Sequence, residues 1–367
     1  MANLEDEIDV GKDNDYQNTQ GPVNIELGTI IGKKYKIVKK LGEGGCGAVY
    51  KCMDINTGKY YALKAESNFV TGGTVLKLEA QIMKKLKGKI CSLNMITSGK
   101  KEKYCYIVMN LLGQNLADLH NSCGKFTLPT LIRIAIQGLY AIKQVHEIGV
   151  VHRDIKPANF AIGNSGITVK MIHILDFGLA REYVILKNGK LEHRAGREGA
   201  LFRGTVKYCS INTHLRYEQG RCDDLWSLMY VLAEFIKILP WEDYSDDKEM
   251  TLKLKKNTKC ESLFPNYKEF VSITSYLSTL QYASKPDYGR IAAVFLKIMK
   301  DNNVKYIDPY DWETKKIVSV EKSDDDTSAS KSKGKNKKSR HSSMESAEYD
   351  FADVFNLPSF INTDMKF

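Results

Sequence analysis

Eleven consecutive residues, Val150-Val151-His152-Arg153-Asp154-Ile155-Lys156-Pro157-Ala158-Asn159-Phe160, restrict this chain more than any other stretch. They set a carboxylate, an ammonium and a carboxamide two or three residues apart, directly after a long helical pattern. Transfer of a phosphoryl group asks for this kind of positioned charge and for little covalent participation by the protein. The bland alternative is a solvated acidic and basic loop at the end of a helix.

The rest of the chain bears on that choice. With 367 residues, 43% of them apolar, it can bury a large core and has room for two lobes. A leader at 1–27 is polar and acidic, and order is expected to begin near Ile30. Tyr35 to Leu41, Ala48 to Met53, Tyr60 to Ala65 and Tyr104 to Met109 have strand character, with Asn56-Thr57-Gly58 as a hairpin turn and one helix at Val75 to Leu86. Beyond Leu112 the patterns turn helical: Thr130 to Ile148, stopped by Gly149, then Asp223 to Ile238, Tyr267 to Gln281 and Tyr288 to Asp301. Strands first and helices after predict an α+β protein with segregated lobes, 28–112 and 113–315, followed by a mostly disordered basic, serine-rich tail at 316–367.

Several function classes lose ground on composition. Eight scattered cysteines, with no C-x-x-C pair, argue against a disulfide framework or zinc site and for a reducing cytoplasmic or nuclear setting. The longest apolar run, Trp226 to Leu239, contains Glu234 and Lys237 and is too short to span a bilayer; it reads as a core helix. The net charge of +10 favours acidic partners, but much of it sits in the tail, so no specific nucleic-acid binding is expected. Lys331 to Arg340 fits a nuclear localisation signal, a nucleic-acid or anionic-surface contact, or a solubilising tail, and the aromatic end Tyr349 to Phe367 fits docking on a partner or on the folded domain of the chain itself.

Three further motifs stand in order around the opening stretch. Leu41-Gly42-Glu43-Gly44-Gly45-Cys46-Gly47-Ala48-Val49 is glycine-rich and lies between two strands. A dinucleotide-binding reading of those glycines needs a helix immediately after them, and a β-branched strand stands there instead. Lys64, behind Tyr61-Ala62-Leu63, is a lysine on an apolar strand, costly unless paired; Glu79 on the next helix is a candidate partner. Asp176-Phe177-Gly178 closes the set. Together these resemble the glycine-rich loop, V-A-I-K lysine, catalytic loop and D-F-G of protein kinases.

The resemblance implies ATP and Mg2+. Asp154 would accept the proton of the attacking hydroxyl, Lys156 would face the γ-phosphate, and Asn159 and Asp176 would hold the metal. Lys156 and Thr205 further resemble serine/threonine kinases, Thr205 bonding to the Asp154/Lys156 pair. Asn115-Leu116-Ala117-Asp118-Leu119, Phe202 to Tyr208, Asp223 to Leu228, Leu239-Pro240-Trp241, Lys285 to Tyr288 and Asp311-Trp312-Glu313 resemble the casein kinase 1 superfamily, closest to its tau-tubulin kinase-like branch. Ser210-Ile211-Asn212, in place of Ala-Pro-Glu, fits that group.

The family resemblance implies a bilobal kinase fold with ATP against Leu41 to Gly47, Val49, Ala62 and Lys64. It also implies a hinge at Asn110, Leu111 and Leu112, Met109 as gatekeeper, and Asp224 holding the catalytic loop's backbone. Substrates would be proteins with Ser/Thr acceptors, acidic or pre-phosphorylated ones among them, read through Lys207. Arg216 and Arg221 are further candidates for that role, or else solvated surface charge. A monomer is expected. Arg181 to Gly204 contains no serine or threonine, leaving Tyr183 as its sole phosphorylatable hydroxyl. The segment is therefore expected to be ordered without such phosphorylation, with Glu198 or a bound anion beside Arg153. The alternative from another class is a pseudokinase scaffold that binds partners without catalysis.

Overall fold

The computed structural model describes residues 23–44, 47–69, 74–314 and 351–361. The leader expected at 1–27 therefore lies outside the described residues up to residue 22, and so does the expected tail at 316–367 apart from 351–361. The basic run Lys331 to Arg340 is among the residues outside. The chain divides into two compact units, residues 1–76 with 97–108, and residues 77–96 with 109–367.

The first unit is built on a sheet. β1 (Ile30–Ile31), β2 (Tyr35–Glu43), β3 (Gly47–Asp54) and β4 (Tyr60–Ser67) form successive antiparallel pairs, and α1 (Leu76–Lys85) comes after them. With β5 (Met95–Lys100) and β6 (Tyr104–Asn110) the sheet has the order β1-β2-β3-β4-β6-β5. The period-two pattern of β3 turns Ala48, Tyr50 and Cys52 inward, onto a core with Ile37, Leu63, Ala65 and Val108. Register shifts within β2, between Ile37 and Lys39 and between Lys40 and Gly42, bend the strand where it approaches the glycines. The core reaches back before β1: Ile25 is buried, its N–H donates to the Tyr50 hydroxyl (2.9 Å), and that hydroxyl donates to the Val23 carbonyl (2.9 Å). Order thus starts ahead of Ile30 because Tyr50 offers a buried hydroxyl that this backbone satisfies.

In the second unit α2 (Leu116–Cys123) leads to α3 (Leu128–Glu147), whose residues are buried on nearly every side, so it is a core helix rather than a surface one. Gly149, at φ +79°, ends it in a conformation that glycine adopts without strain. Three short antiparallel pairs come next: β7 (Val150–Val151) with β10 (Arg181–Glu182), β8 (Phe160–Ile162) with β9 (Ile172–Ile174), and β11 (Val184–Lys187) with β12 (Lys190–His193). The last pair turns on Asn188-Gly189, both at positive φ, the residues that a two-residue hairpin prefers.

The remaining helices are α4 (Ile211–His214), α5 (Arg221–Ile236), α6 (Lys248–Asn257), α7 (Cys260–Leu263), α8 (Lys268–Leu277), α9 (Tyr288–Asp301), α10 (Asp311–Thr314), α11 (Phe351–Val354) and α12 (Leu357–Phe360). α5 takes up most of the run expected to be a core helix, and α3 packs against both α5 and α9. Arg133, fully buried on α3, donates to the carbonyls of Pro129 (2.8 Å), Pro309 (2.9 Å) and Asp308, with the Tyr310 ring 3.9 Å from its guanidinium. A buried cation satisfied in this way fixes the end of the unit to its central helix. No helix among the described residues is long and apolar enough to cross a membrane.

Candidate active site

The stretch from Val150 to Phe160 is held from below by one carboxylate. Asp224, in the first turn of α5, accepts the backbone N–H of His152 (Oδ2, 2.7 Å) and of Arg153 (Oδ1, 2.8 Å). His146 of α3 also meets Asp224 Oδ2 through Nε2 (2.8 Å), and its Nδ1 meets the Tyr288 hydroxyl (2.6 Å). Burial pushes His146 below its ordinary value, so it stays neutral. Burial alone would raise the Asp224 carboxyl, but the bond from His146 and the backbone N–H groups hold it below the ordinary carboxylate range. Arg153 sits at φ +67°, an unfavourable conformation for a side-chain-bearing residue, and Asp224 supplies the bonds that fix it there.

Above that anchor, Asp154 is buried and doubly engaged. Its Oδ1 accepts the Thr205 hydroxyl at 2.7 Å, and its Oδ2 lies 2.7 Å from the Lys156 ammonium. The same ammonium stands 3.3 Å from the Thr205 hydroxyl. Asn159 donates to the Asp154 carbonyl (2.8 Å) and reaches its Oδ2 (3.2 Å). Thr205 comes this close because Gly204 precedes it at φ +115°: a Cβ there would lie 2.6 Å from the Arg153 carbonyl. Asp154, Lys156, Asn159 and Thr205 thus converge on one carboxylate.

Asp176 is exposed, at φ +62°, with its Oδ1 accepting the Gly178 N–H (3.3 Å), while Phe177 is buried against the His152 ring, centroids 5.3 Å apart. His152 Nε2 donates to the Leu175 carbonyl (2.9 Å), and the Leu175 N–H donates to the Asn159 carbonyl (2.9 Å). Bonds to and from Leu175 thus link the residue before Asp176 to the loop that carries Asn159.

In the sheet unit, Gly44 and Gly47 pair with each other across the hairpin tip; Gly45 and Cys46, expected to line the nucleotide, lie outside the described residues. Gly47 is required by packing, since a Cβ would fall 2.2 Å from the Ala65 carbonyl. Gly42 and Gly44 are different. Among the described residues a Cβ on either would meet no atom within 4 Å, and neither is at positive φ, so neither described packing nor backbone conformation asks for glycine there. Leu41 and Glu43 are exposed on β2, Val49 faces Lys64 across β3 and β4, and Ala62 is buried. Lys64 is half-buried in this unit; Glu79 is buried in the first turn of α1, in the second. Met109 is buried at the end of β6, with Asn110 exposed and Leu111 and Leu112 half-buried after it.

The segment Gly178 to Gly204 is fixed by a carboxylate that no sequence motif announces. Glu218 is buried, with Arg197 Nε 2.5 Å from Oε2 and Arg181 Nε 3.6 Å from Oε1. Burial works against its charge, yet Arg197, Arg181 and Arg153 hold its carboxyl below the ordinary value. Arg153 donates to the Leu179 carbonyl (2.7 Å), and its guanidinium is lowered to about 10 by burial and then by the neighbouring Arg181. Glu198, expected in this place, is exposed. Tyr183 is buried, donating to the His146 carbonyl (2.7 Å) and receiving Arg221 (3.3 Å), and burial raises its phenol.

Two cations expected to read substrate are committed elsewhere. Lys207 pairs with Glu234 and Glu242; these carboxylates hold its ammonium above the ordinary value even though burial opposes them. Arg221 is buried over the Tyr183 ring and donates to the Ala283 carbonyl (3.0 Å). Arg216 remains exposed beside Phe202. Ser210 and Asn212 both donate to Asp223 (2.6 and 3.2 Å), tying the segment to the turn that carries Asp224.

Comparison with known proteins agrees with this geometry. Residues 35–300 match the family described as the protein kinase domain. A Caenorhabditis elegans protein named as a serine/threonine-protein kinase is 44% identical over 302 residues, 81% of this chain and 86% of the worm protein. A Dictyostelium discoideum protein, likewise named as a serine/threonine-protein kinase, is 35% identical over 297 residues, 79% of this chain and 59% of that protein. The chain belongs to the protein kinase domain family, with its α+β bilobal fold. It is an ATP-dependent phosphotransferase that works with a divalent metal.

Proposed function

We propose that the chain transfers the γ-phosphate of ATP, with Mg2+, to serine and threonine hydroxyls of proteins, as a kinase of the casein kinase 1-like, tau-tubulin kinase-like kind. The observation that carries this is the Asp154 carboxylate held at once by Lys156 and Thr205. The relatives' names and the motifs from Phe202 to Asn212 support the same reading.

Asp154 accepts the proton of the acceptor hydroxyl and orients it in line for attack. Thr205 fixes one carboxylate oxygen, leaving the other toward Lys156, whose ammonium is placed to neutralise charge on the transferred group. Asn159 and Asp176 would hold the metal through an amide oxygen and a carboxylate. No group of three or more His, Cys, Asp or Glu among the described residues forms a ready cage. That fits magnesium, which binds one or two carboxylates together with phosphates and keeps its waters. The metal, when bound, neutralises phosphate charge. The open space at Gly42 and Gly44 suits close approach of phosphates to backbone N–H groups.

Glu218 supports activity without phosphorylation of the segment after Gly178, because a built-in carboxylate already balances Arg181 and Arg197 beside Arg153. Lys207, paired with two glutamates, gives no support to a preference for acidic or pre-phosphorylated acceptors. The test is transfer of labelled phosphate from ATP to casein and to a tubulin peptide by wild type and Asp176→Asn. Labelling by wild type, lost in the variant and found on phosphoserine or phosphothreonine, is expected. Equal labelling by both, or none by either, returns the scaffold reading.

A further inference from the structure

Residues 351–361 lie on the helical unit after 36 intervening positions, 315–350. Within this segment Phe351, Phe355 and Phe360 are buried, whereas Ala352, Asp353, Leu357 and Pro358 are exposed. One aromatic face is covered and the other meets solvent. The covering surface has three parts. Tyr140 of α3 sets its ring edge-on to Phe355 (5.3 Å) and Phe360 (5.4 Å). Tyr306, after α9, stacks on Phe351 (6.2 Å), lies 5.5 Å from Phe355 and donates its hydroxyl to the Phe355 carbonyl (3.1 Å). α12 packs along α9 itself.

The segment carries its own folding instructions. Asn356 accepts the Ser359 N–H (3.1 Å) and donates to the Asp353 carbonyl (2.7 Å), so one side chain joins the two four-residue helices, and Pro358 sets the first turn of the second. Helices this short do not persist alone in water, so the aromatic groove supplies their order. Two tyrosines and a helix face that receive three phenylalanines through ring contacts and one carbonyl bond make up a peptide-binding groove of the helix-in-groove kind.

We infer that Tyr140, Tyr306 and α9 form a docking groove for a Phe-x3-Phe-x4-Phe segment, and that residues 351–361 of the same chain occupy it in cis. The tether decides this occupant. A connection of 36 positions keeps the segment on the same molecule as its groove, and tethering of this kind presents a segment at up to about millimolar effective concentration. A contact with a dissociation constant of about 10 µM in trans is then about 100-fold favoured in cis, and the residues on both sides of 315–350 belong to one unit.

A fluorescein-labelled peptide of residues 349–363 tests this on the full chain. Fluorescence anisotropy should show micromolar binding to Phe355→Ala/Phe360→Ala and at least 50-fold weaker binding to wild type. Because that variant places its own demands on folding, a second protein keeps the wild-type segment and carries a protease site between positions 325 and 335. The peptide should bind it after cutting and not before. Failure to bind the cut protein overturns the groove. Light scattering should report a monomer. A dimer that Phe355→Ala dissociates would overturn the assignment in cis and put a second copy in its place.

Discussion

Two ionic clusters meet on either side of Arg153, and they are built on opposite plans. On one side Asp154, Lys156, Asn159 and Thr205 share short bonds around a carboxylate, with the Lys156 side chain only partly covered. On the other, Glu218 is buried and spent on Arg181 and Arg197. On the function proposed above, the first keeps a charged group for a reacting hydroxyl. The second commits its carboxylate to two arginines of the segment after Gly178. Between them Asp224 holds the strained turn at Arg153, the residue that separates the two clusters. Charge alone does not mark a catalytic group; a bond it can still offer to a reactant does.

The two plans predict different failures. On the proposed function, Asp154→Asn removes the proton acceptor while keeping the shape, and kcat should fall by about 10²- to 10⁴-fold with the melting temperature nearly unchanged. Asp224→Ala leaves two backbone N–H groups and a buried His146 without their acceptor; urea unfolding should show a loss of about 3–5 kcal/mol. Unchanged stability would mean that the loop is held some other way. Glu218→Gln should cost about 1–3 kcal/mol and lower kcat, while phosphatase treatment leaves the wild type unaffected. If phosphatase silences the wild type, the built-in carboxylate is not sufficient. Thr205→Val removes one bond to a charged oxygen and should reduce kcat by about 10-fold, with rescue by Thr205→Ser.

Acid should report on the buried anchor. His146 is held below its ordinary 6.5, and His214 is lowered to about 4 by burial and then by Lys255. As pH falls below about 6.5 the unfolded chain takes up protons that the folded one refuses, so stability is lost on acidification, by up to about 1.4 kcal/mol per pH unit for a proton refused by fully buried His146. Asp224, depressed in the folded state, adds its own loss at still lower pH. Melting temperatures measured from pH 7 to 4 should fall below pH 6.5. A curve flat to pH 4 would show His146 to be protonated in the fold.

Much of the first cluster is legible in the sequence because three of its members lie within six positions of one another and their spacing survives any packing. α9 is likewise legible to the residue, its apolar period being complete from Tyr288 to Asp301. Glu218 is not: it stands 65 positions after Arg153 (218 − 153), and nothing local distinguishes it from Glu198, which is nearer in the chain and exposed. α6 is hidden because its buried face includes Thr251 and Lys255, whose ammonium donates to the Val206 (2.8 Å) and Cys209 (2.6 Å) carbonyls, and a polar face gives no hydrophobic period. Lys207 misleads for the opposite reason, a local basic signal whose two neutralising glutamates lie 27 and 35 positions away. The Asn188-Gly189 hairpin does carry a turn signal, the residue pair that a two-residue connection between strands prefers.

The carboxylate of Glu218 has a consequence for how such an enzyme is governed. A phosphate beside Arg153 would be written and erased by other enzymes; a glutamate is written once, by translation. On the function proposed above, the chain is born switched on and no phosphatase can reset it. The dial left to the cell is then how much of it is made, how long it lasts and which proteins it is allowed to meet.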